Sequence, residues 1–207
     1  KKVRDPNVLT AVAVELVKRL GKGVSASSLK GRTCRSLDQA RMFLEHLEES
    51  GLFFLLPRMA DAGRDSPQSS RLLMLADGGL APVLGTEDRE ALALNAVFLE
   101  CLREDRSVWH WSAKGRKGLV VDGSLFVDVC WPSEGERINL RPLETVLKDR
   151  PEAQGLVLVP DVKPGQHGAI LQRDLGVWLL KPSFIQDSKE KTDMAVNKKQ
   201  SIANHLL

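Results

Sequence analysis

The residues of this chain best suited to chemistry are carboxylates and arginines, and Asp128 leads them. It lies inside the apolar run Ser-Leu-Phe-Val-Asp-Val-Cys-Trp that ends at residue 131. A carboxylate in such a strand destabilises it unless something holds its charge, and a hard divalent cation is one such partner. A metal-dependent nuclease needs carboxylates on adjacent strands, with a lysine near the attacking water. The segment Ile138-Asn139-Leu140-Arg141 follows at hairpin distance and is expected to be the adjacent strand. In a working Asp…Glu-x-Lys arrangement, positions 139 and 141 would be glutamate and lysine. Asn139 is instead a weak neutral ligand, and Arg141 keeps its charge but cannot act as a base. Glu100, on an expected helix, is the second carboxylate a nuclease would recruit, with Mg²⁺ as its cofactor. Asp122 precedes Gly123 and reads as a turn residue. With one clear carboxylate, the expectation is no catalytic residue, no metal and no cofactor in this chain. Asp128 would then sit at an exposed or edge position.

Other catalytic signatures are missing. There is no Gly-x-x-x-x-Gly-Lys-Ser/Thr loop, Gly-x-Gly-x-x-Gly, His-Glu-x-x-His or Gly-x-Ser-x-Gly. His46, His110, His167 and His205 are scattered. Cys34, Cys101 and Cys130 are an odd, widely spaced set, which fits neither a disulfide scaffold nor a zinc cluster. Cys101 and Cys130 fall in apolar stretches and read as buried thiols. Cys34 has Arg35 beside it, a setting that lowers a thiol pKa, but no neighbouring histidine to complete a catalytic pair. Trp109, Trp111, Trp131 and Trp178 are expected in strands, as core residues rather than base-stacking platforms.

The second candidate chemistry is phosphate and base contact. Arg32, Arg35, Gln39 and Arg41 cluster at the start of an expected helix, where a recognition helix meets the major groove. Arg58, Arg64 and Arg71 would decorate a neighbouring hairpin. Glu45, Glu48 and Glu49 oppose a nucleic-acid backbone running along the whole helix. The 207 residues carry 30 Lys+Arg against 27 Asp+Glu, a net +3, too small to establish a polyanion partner. The charge is uneven: residues 1–61 carry 11 basic and 7 acidic side chains, residues 62–180 carry 14 and 17, and residues 181–207 carry 5 and 3.

The elements that must position these residues follow from period and punctuation. Asp5 and Pro6 open a first helix whose apolar positions are Val8, Val12, Leu16 and Leu20, and Gly21-Lys-Gly23 ends it. Residues 25–31 hold a short second helix. Ser36 with Gln39 forms a capping box for a third, over 36–50, with Leu37, Ala40, Leu44 and Leu47 on its apolar face. Residues 52–57 and 70–75 read as antiparallel strands about a polar Gly/Pro/Ser loop. Gly78-Gly79 begins a linker, and Thr86 is expected to cap a fourth helix. Strands are expected at 107–111, 119–121, 124–131, 155–159 and 177–180, with a short helix at 143–148. Three helices and a hairpin are the element order of a winged helix-turn-helix; the remainder reads as a small mixed α/β domain, giving an α+β or α/β chain.

This order resembles the C-terminal half of the prokaryotic AAA-type ATPases that carry a DUF4143 region, in which a winged helix precedes a degenerate restriction-endonuclease-like domain. The residues carrying the resemblance are "SASSLKGRTCRSLDQARMFLEHLEESG", like the family's helix-turn-helix, and "SSRLLMLADGGLAPVL", with Asp77, Gly79 and Leu80 in the corresponding places. "LALNAVFLECL" resembles the helix that usually carries Glu-Asn, with Leu94-Asn95 here. "VWHW" resembles the strand with Tyr/Phe-Trp. "SLFVDV" resembles the Glu-Val-Asp-Phe strand, with Phe126 in the glutamate place and Asp128 kept. "INLR" resembles the Ile-Glu-Val-Lys strand with both polar residues altered. The resemblance implies an ATPase module upstream or in trans, and lost nuclease activity.

The expectation is thus a winged helix-turn-helix domain over 1–80, a nuclease-like but inactive domain over 86–182, and a polar tail over 183–207, disordered or partner-docking. The chain would be a cytoplasmic, non-catalytic DNA-binding or assembly module, with duplex DNA or a protein as partner. Arg32, Arg35, Gln39, Arg41, Arg58 and Arg64 would be its nucleic-acid contacts. Its rivals are a divalent-metal nuclease using Asp128 and Glu100, and a protein-interaction scaffold subunit. No apolar run is long enough for a membrane span.

Overall fold

The computed structural model describes residues 6–59 and 70–182. Asp5, Arg64 and the tail over 183–207 lie outside these residues. The chain is a mixed α/β fold with several helices and two sheets. The first part runs α1 (Pro6–Val17), β1 (Gly23–Val24), α2 (Ala26–Leu29), α3 (Leu37–Glu49), β2 (Phe53–Leu56) and β3 (Arg71–Leu75). β3 lies between β1 and β2, antiparallel to both, with Phe53 opposite Leu75 and Gly23 opposite Leu72. The expected third helix and hairpin form from the signals that predicted them. Ser36 Oγ accepts the Gln39 N–H at 3.1 Å, while Gln39 Oε1 reaches back one residue further, to the Arg35 N–H at 2.8 Å. Gly21, at φ +69°, turns the chain from α1 toward β1.

The second part runs α4 (Leu80–Val83), α5 (Arg89–Arg103), β4 (Val108–Ala113), β5 (Arg116–Val121), β6 (Leu125–Val129), α6 (Arg141–Leu147), β7 (Gln154–Val159), β8 (Gly165–His167), β9 (Ile170–Asp174) and α7 (Leu175–Leu180). Its six strands lie in the order β4-β5-β6-β7-β9-β8. β4, β5 and β6 form an antiparallel meander; β6, β7 and β9 are parallel. Residues alternate between two faces along these strands. Leu119, Val127 and Leu156 pack with α5 and α7, whereas Val120, Phe126 and Val157 pack with Leu143 and Leu147 of α6.

Four sequence expectations are corrected. Residues 138–141 are not a strand: β6 pairs with β7, and Arg141 opens α6, where Pro142 suits the first turn. Residues 177–180 are helix, because Asp174 Oδ1 accepts the Val177 N–H at 2.8 Å and caps α7. Asp88, not Thr86, caps α5, through the Ala91 N–H at 3.1 Å; the Thr86 hydroxyl is buried with no partner among the described residues. The stretch after Gly79 holds α4 rather than only a linker.

Packing does not divide at residues 81–85. One core runs from Val12 through Phe43, Leu73 and Phe98 to Trp178. Asn95, fully buried on α5, accepts the Leu75 N–H at 2.8 Å and donates to the Leu75 carbonyl at 3.1 Å. A side-chain amide thereby pairs with β3 as a strand would. The His110 N–H donates to the Pro57 carbonyl at 3.0 Å, covering the outer edge of β4 with the chain leaving β2.

Candidate functional site

Asp128 is buried, at 1% exposure, rather than exposed or at an edge. Two local features place its partner. Lys114 and Gly115, at φ +48° and +79°, make the tight turn between β4 and β5 and set Arg116 at the head of β5. At Gly118 a Cβ would collide with the Val127 carbonyl oxygen, and the Trp111 indole crosses there to donate to that oxygen at 3.0 Å. The Arg116 side chain meets β6 beyond this crossing. Its Nε donates to both Asp128 oxygens at 3.0 Å. Its Nη2 lies 2.8 and 3.1 Å from the Glu90 oxygens, 2.8 Å from the Val129 carbonyl oxygen and 3.2 Å from Cys130 Sγ. A cleft of about 280 Å³ opens onto the guanidinium between Lys22, Glu90 and Lys117.

The electrostatics follow from two carboxylates sharing one cation. Burial pushes Asp128 up to about 6, against the pull of Arg116. Burial also works against the charge of Arg116, but Asp128 and Glu90 more than offset it and hold the guanidinium protonated above its usual range. Burial, with the Asp128 charge added, pushes the Cys130 thiol up to about 12, leaving it protonated and unreactive. Cys34 is corrected in the same sense: burial pushes its thiol up rather than Arg35 lowering it.

The carboxylate brought to Asp128 is Glu90, not Glu100. Glu100 lies ten residues further along α5, about 15 Å in helical rise, and accepts from Arg103 Nη1 at 2.6 Å. Asn139 accepts the Arg141 N–H at 3.2 Å ahead of α6. The donors around the Arg116 guanidinium fit a divalent cation in type, being mainly carboxylate and carbonyl oxygens, but the guanidinium fills their centre.

The candidate nucleic-acid contacts are dispersed in their commitments. Arg35 is exposed, and its backbone N–H is held by Gln39, which occupies that side chain's oxygen. Arg32 is exposed and lies 3.9 Å from Glu15. Arg41 pairs with Asp38 at 3.3 Å. Arg58 donates to the Ser112 carbonyl of β4 at 3.3 Å. Arg71 pairs with Glu48 at 3.3 Å. Sequence reasoning missed Glu90 and Arg116, for which the Lys-Gly turn just before Arg116 is the one local signal, and it placed Asn95 only through the resemblance, without its contact to β3.

No family model, curated protein or solved structure matches this chain. Among the described residues, no helix is long and apolar enough to cross a membrane.

Proposed function

We propose that this chain is a non-catalytic assembly module, in which a winged helix of the kind found ahead of DUF4143-like domains docks a protein partner and a degenerate nuclease-like sheet braces it. The order of α1, β1, α2, α3, β2 and β3 supports the winged-helix reading. The meander, crossover helix and parallel strand over β4–β7 support the comparison of the second part with a nuclease fold. The observation carrying the non-catalytic reading is the Arg116 clasp: the one carboxylate buried among the described residues is spent on an internal cation. The protein-docking reading is supported by the outward side of α3, where Met42 is exposed and Asp38, Glu45 and Glu49 outnumber Arg41, a surface that opposes a nucleic-acid backbone.

DNA contact is the second reading, favoured by Arg32 and Arg35, both exposed ahead of α3. One titration separates the readings: labelled duplex DNA at several salt concentrations, with and without Mg²⁺ or Mn²⁺. The expected result is neither cleavage nor salt-dependent binding. Cleavage lost in Asp128→Ala would establish the nuclease. Binding with a slope that falls by about one unit in Arg35→Ala would establish the DNA reading.

A further inference from the structure

Away from the clasp, a groove of about 610 Å³ opens where β6, β7 and β9 end. The helices following β6 and β9 leave to opposite faces of the sheet, so the ends of the parallel strands stay uncovered between them. Leu92 of α5, Trp131, Leu175 and Leu179 make its apolar wall. Beside it on α7 stands an apolar ridge, Val177 at 68% and Leu180 at 89% exposure. Gly176 lies between the two, so no side chain separates ridge from groove. The rim carries both signs: Arg89, which also stacks over the Trp131 ring at 5.7 Å, and Asp161.

Seven large hydrophobic residues are exposed among the described residues; one of them, Trp131, lines this groove, and two more, Val177 and Leu180, stand on α7, whose Leu175, Gly176 and Leu179 line it. A patch of this kind marks an interaction site. Its occupant follows from its self-complementarity. A ridge beside a groove on one face, with a cation and an anion on the same rim, is the pattern of an isologous two-fold contact, in which residue i meets j and j meets i. A small ligand would fill the groove and leave Val177 and Leu180 in water.

We propose that this face binds a second copy of the chain: the Val177/Leu180 ridge of each copy enters the groove of the other, and Arg89 of each faces Asp161 of the other. This contact uses no residue of α3 and does not rest on what α3 docks.

Sedimentation equilibrium of the full chain, from low to high micromolar concentration, tests it. The wild type is expected to dimerise. Leu180→Glu enters a two-fold contact twice, and should weaken the dimer by at least about 100-fold; Val177→Glu serves as an independent second variant. Both positions face solvent in the monomer, so circular dichroism should not change, nor should the melting temperature at concentrations low enough for wild type and variants alike to be monomeric. Arg89→Glu should weaken the dimer, and adding Asp161→Arg should restore it. A wild type that stays monomeric throughout, a dimer indifferent to both ridge variants, or failure of the charge swap to restore association would each overturn the proposal.

Discussion

The Arg116 clasp and the outward side of α3 use the same side chains to opposite ends. In the clasp, Arg116 is 28% exposed in its side chain and Asp128 1%. On α3, Arg41 and Asp38 are 43% and 91% exposed. Both are arginine–aspartate pairs at about 3 Å, yet water decides what each does. Buried, the pair becomes a structural requirement, because either partner alone would be a stranded charge. Exposed, it contributes little and stays available to exchange its partner. Proximity of opposite charges therefore does not identify a site; the solvent around them does.

The strongest way to break this contrast is to remove the buried cation. Arg116→Ala should lower unfolding stability by about 3–5 kcal/mol at neutral pH, read by urea denaturation. Arg116→Lys should recover part of the loss, since one ammonium cannot serve Asp128 and Glu90 with a guanidinium's geometry. A loss in Arg116→Ala no larger than about 1 kcal/mol would place the clasp with the surface pairs.

A pH series sharpens the contrast further. The folded-state pKa of Asp128, about 6, lies above its ordinary 3.8, so the native chain holds the extra proton between these values. Its contribution is therefore fully present below about pH 4 and lost as pH rises through about 6, an effect on the order of 3 kcal/mol. The stability of Asp128→Asn relative to wild type should rise across that window and be flat outside it. A flat difference throughout would show that Asp128 takes up its proton at the same pH in the folded and unfolded chain. The same linkage makes the cost of Arg116→Ala shrink as pH falls toward 6, because Asp128 without the cation's pull takes up its proton at a higher pH than in the wild type, and the cost levels off below that.

Asn95 tests whether an uncharged buried pairing behaves like the clasp. Asn95→Ala leaves the Leu75 N–H and carbonyl without their side-chain partner, and should cost about 2–3 kcal/mol in the same denaturation assay. A cost near zero would mean that water replaces the amide. The smallest effect belongs to α3: Arg41→Ala should change stability by no more than about 0.5 kcal/mol, and less at high salt. A larger, salt-insensitive loss would show that the outward side of α3 is held by its charges after all.

Local signals made the first part legible and left much of the second hidden. Val12 and Leu16 mark α1, Ser36 marks the start of α3, and the two apolar runs about a polar Gly/Pro/Ser stretch mark the hairpin; each needs only near neighbours in sequence. Residues 138–141 fit a strand by pattern, while the decisive residue is Pro142 just beyond. Val177-Trp-Leu-Leu180 also fits a strand, and only Asp174, three residues earlier, marks a helix. The clasp was half legible: Asp128 stood out as a carboxylate in an apolar strand, but Glu90 and Arg116, 26 residues apart, meet only after α5 packs on the sheet. No local period encodes that meeting. Glu100 was the plausible guess from sequence, on the right helix but about three turns too far along it.

The continuous core from Val12 to Trp178 also has a mechanical consequence. A module hung on a flexible linker lets each end sample many orientations, and effective concentration then depends on linker length. Here Asn95 and the Pro57–His110 bond tie the two sheets to one another, so α3 and the α7 ridge belong to one packed bracket. Two brackets joined at α7 would hold their α3 helices at a fixed spacing, like the points of a set calliper. A partner with two matching sites at that spacing would gain avidity, and one with any other spacing would be gripped by a single arm.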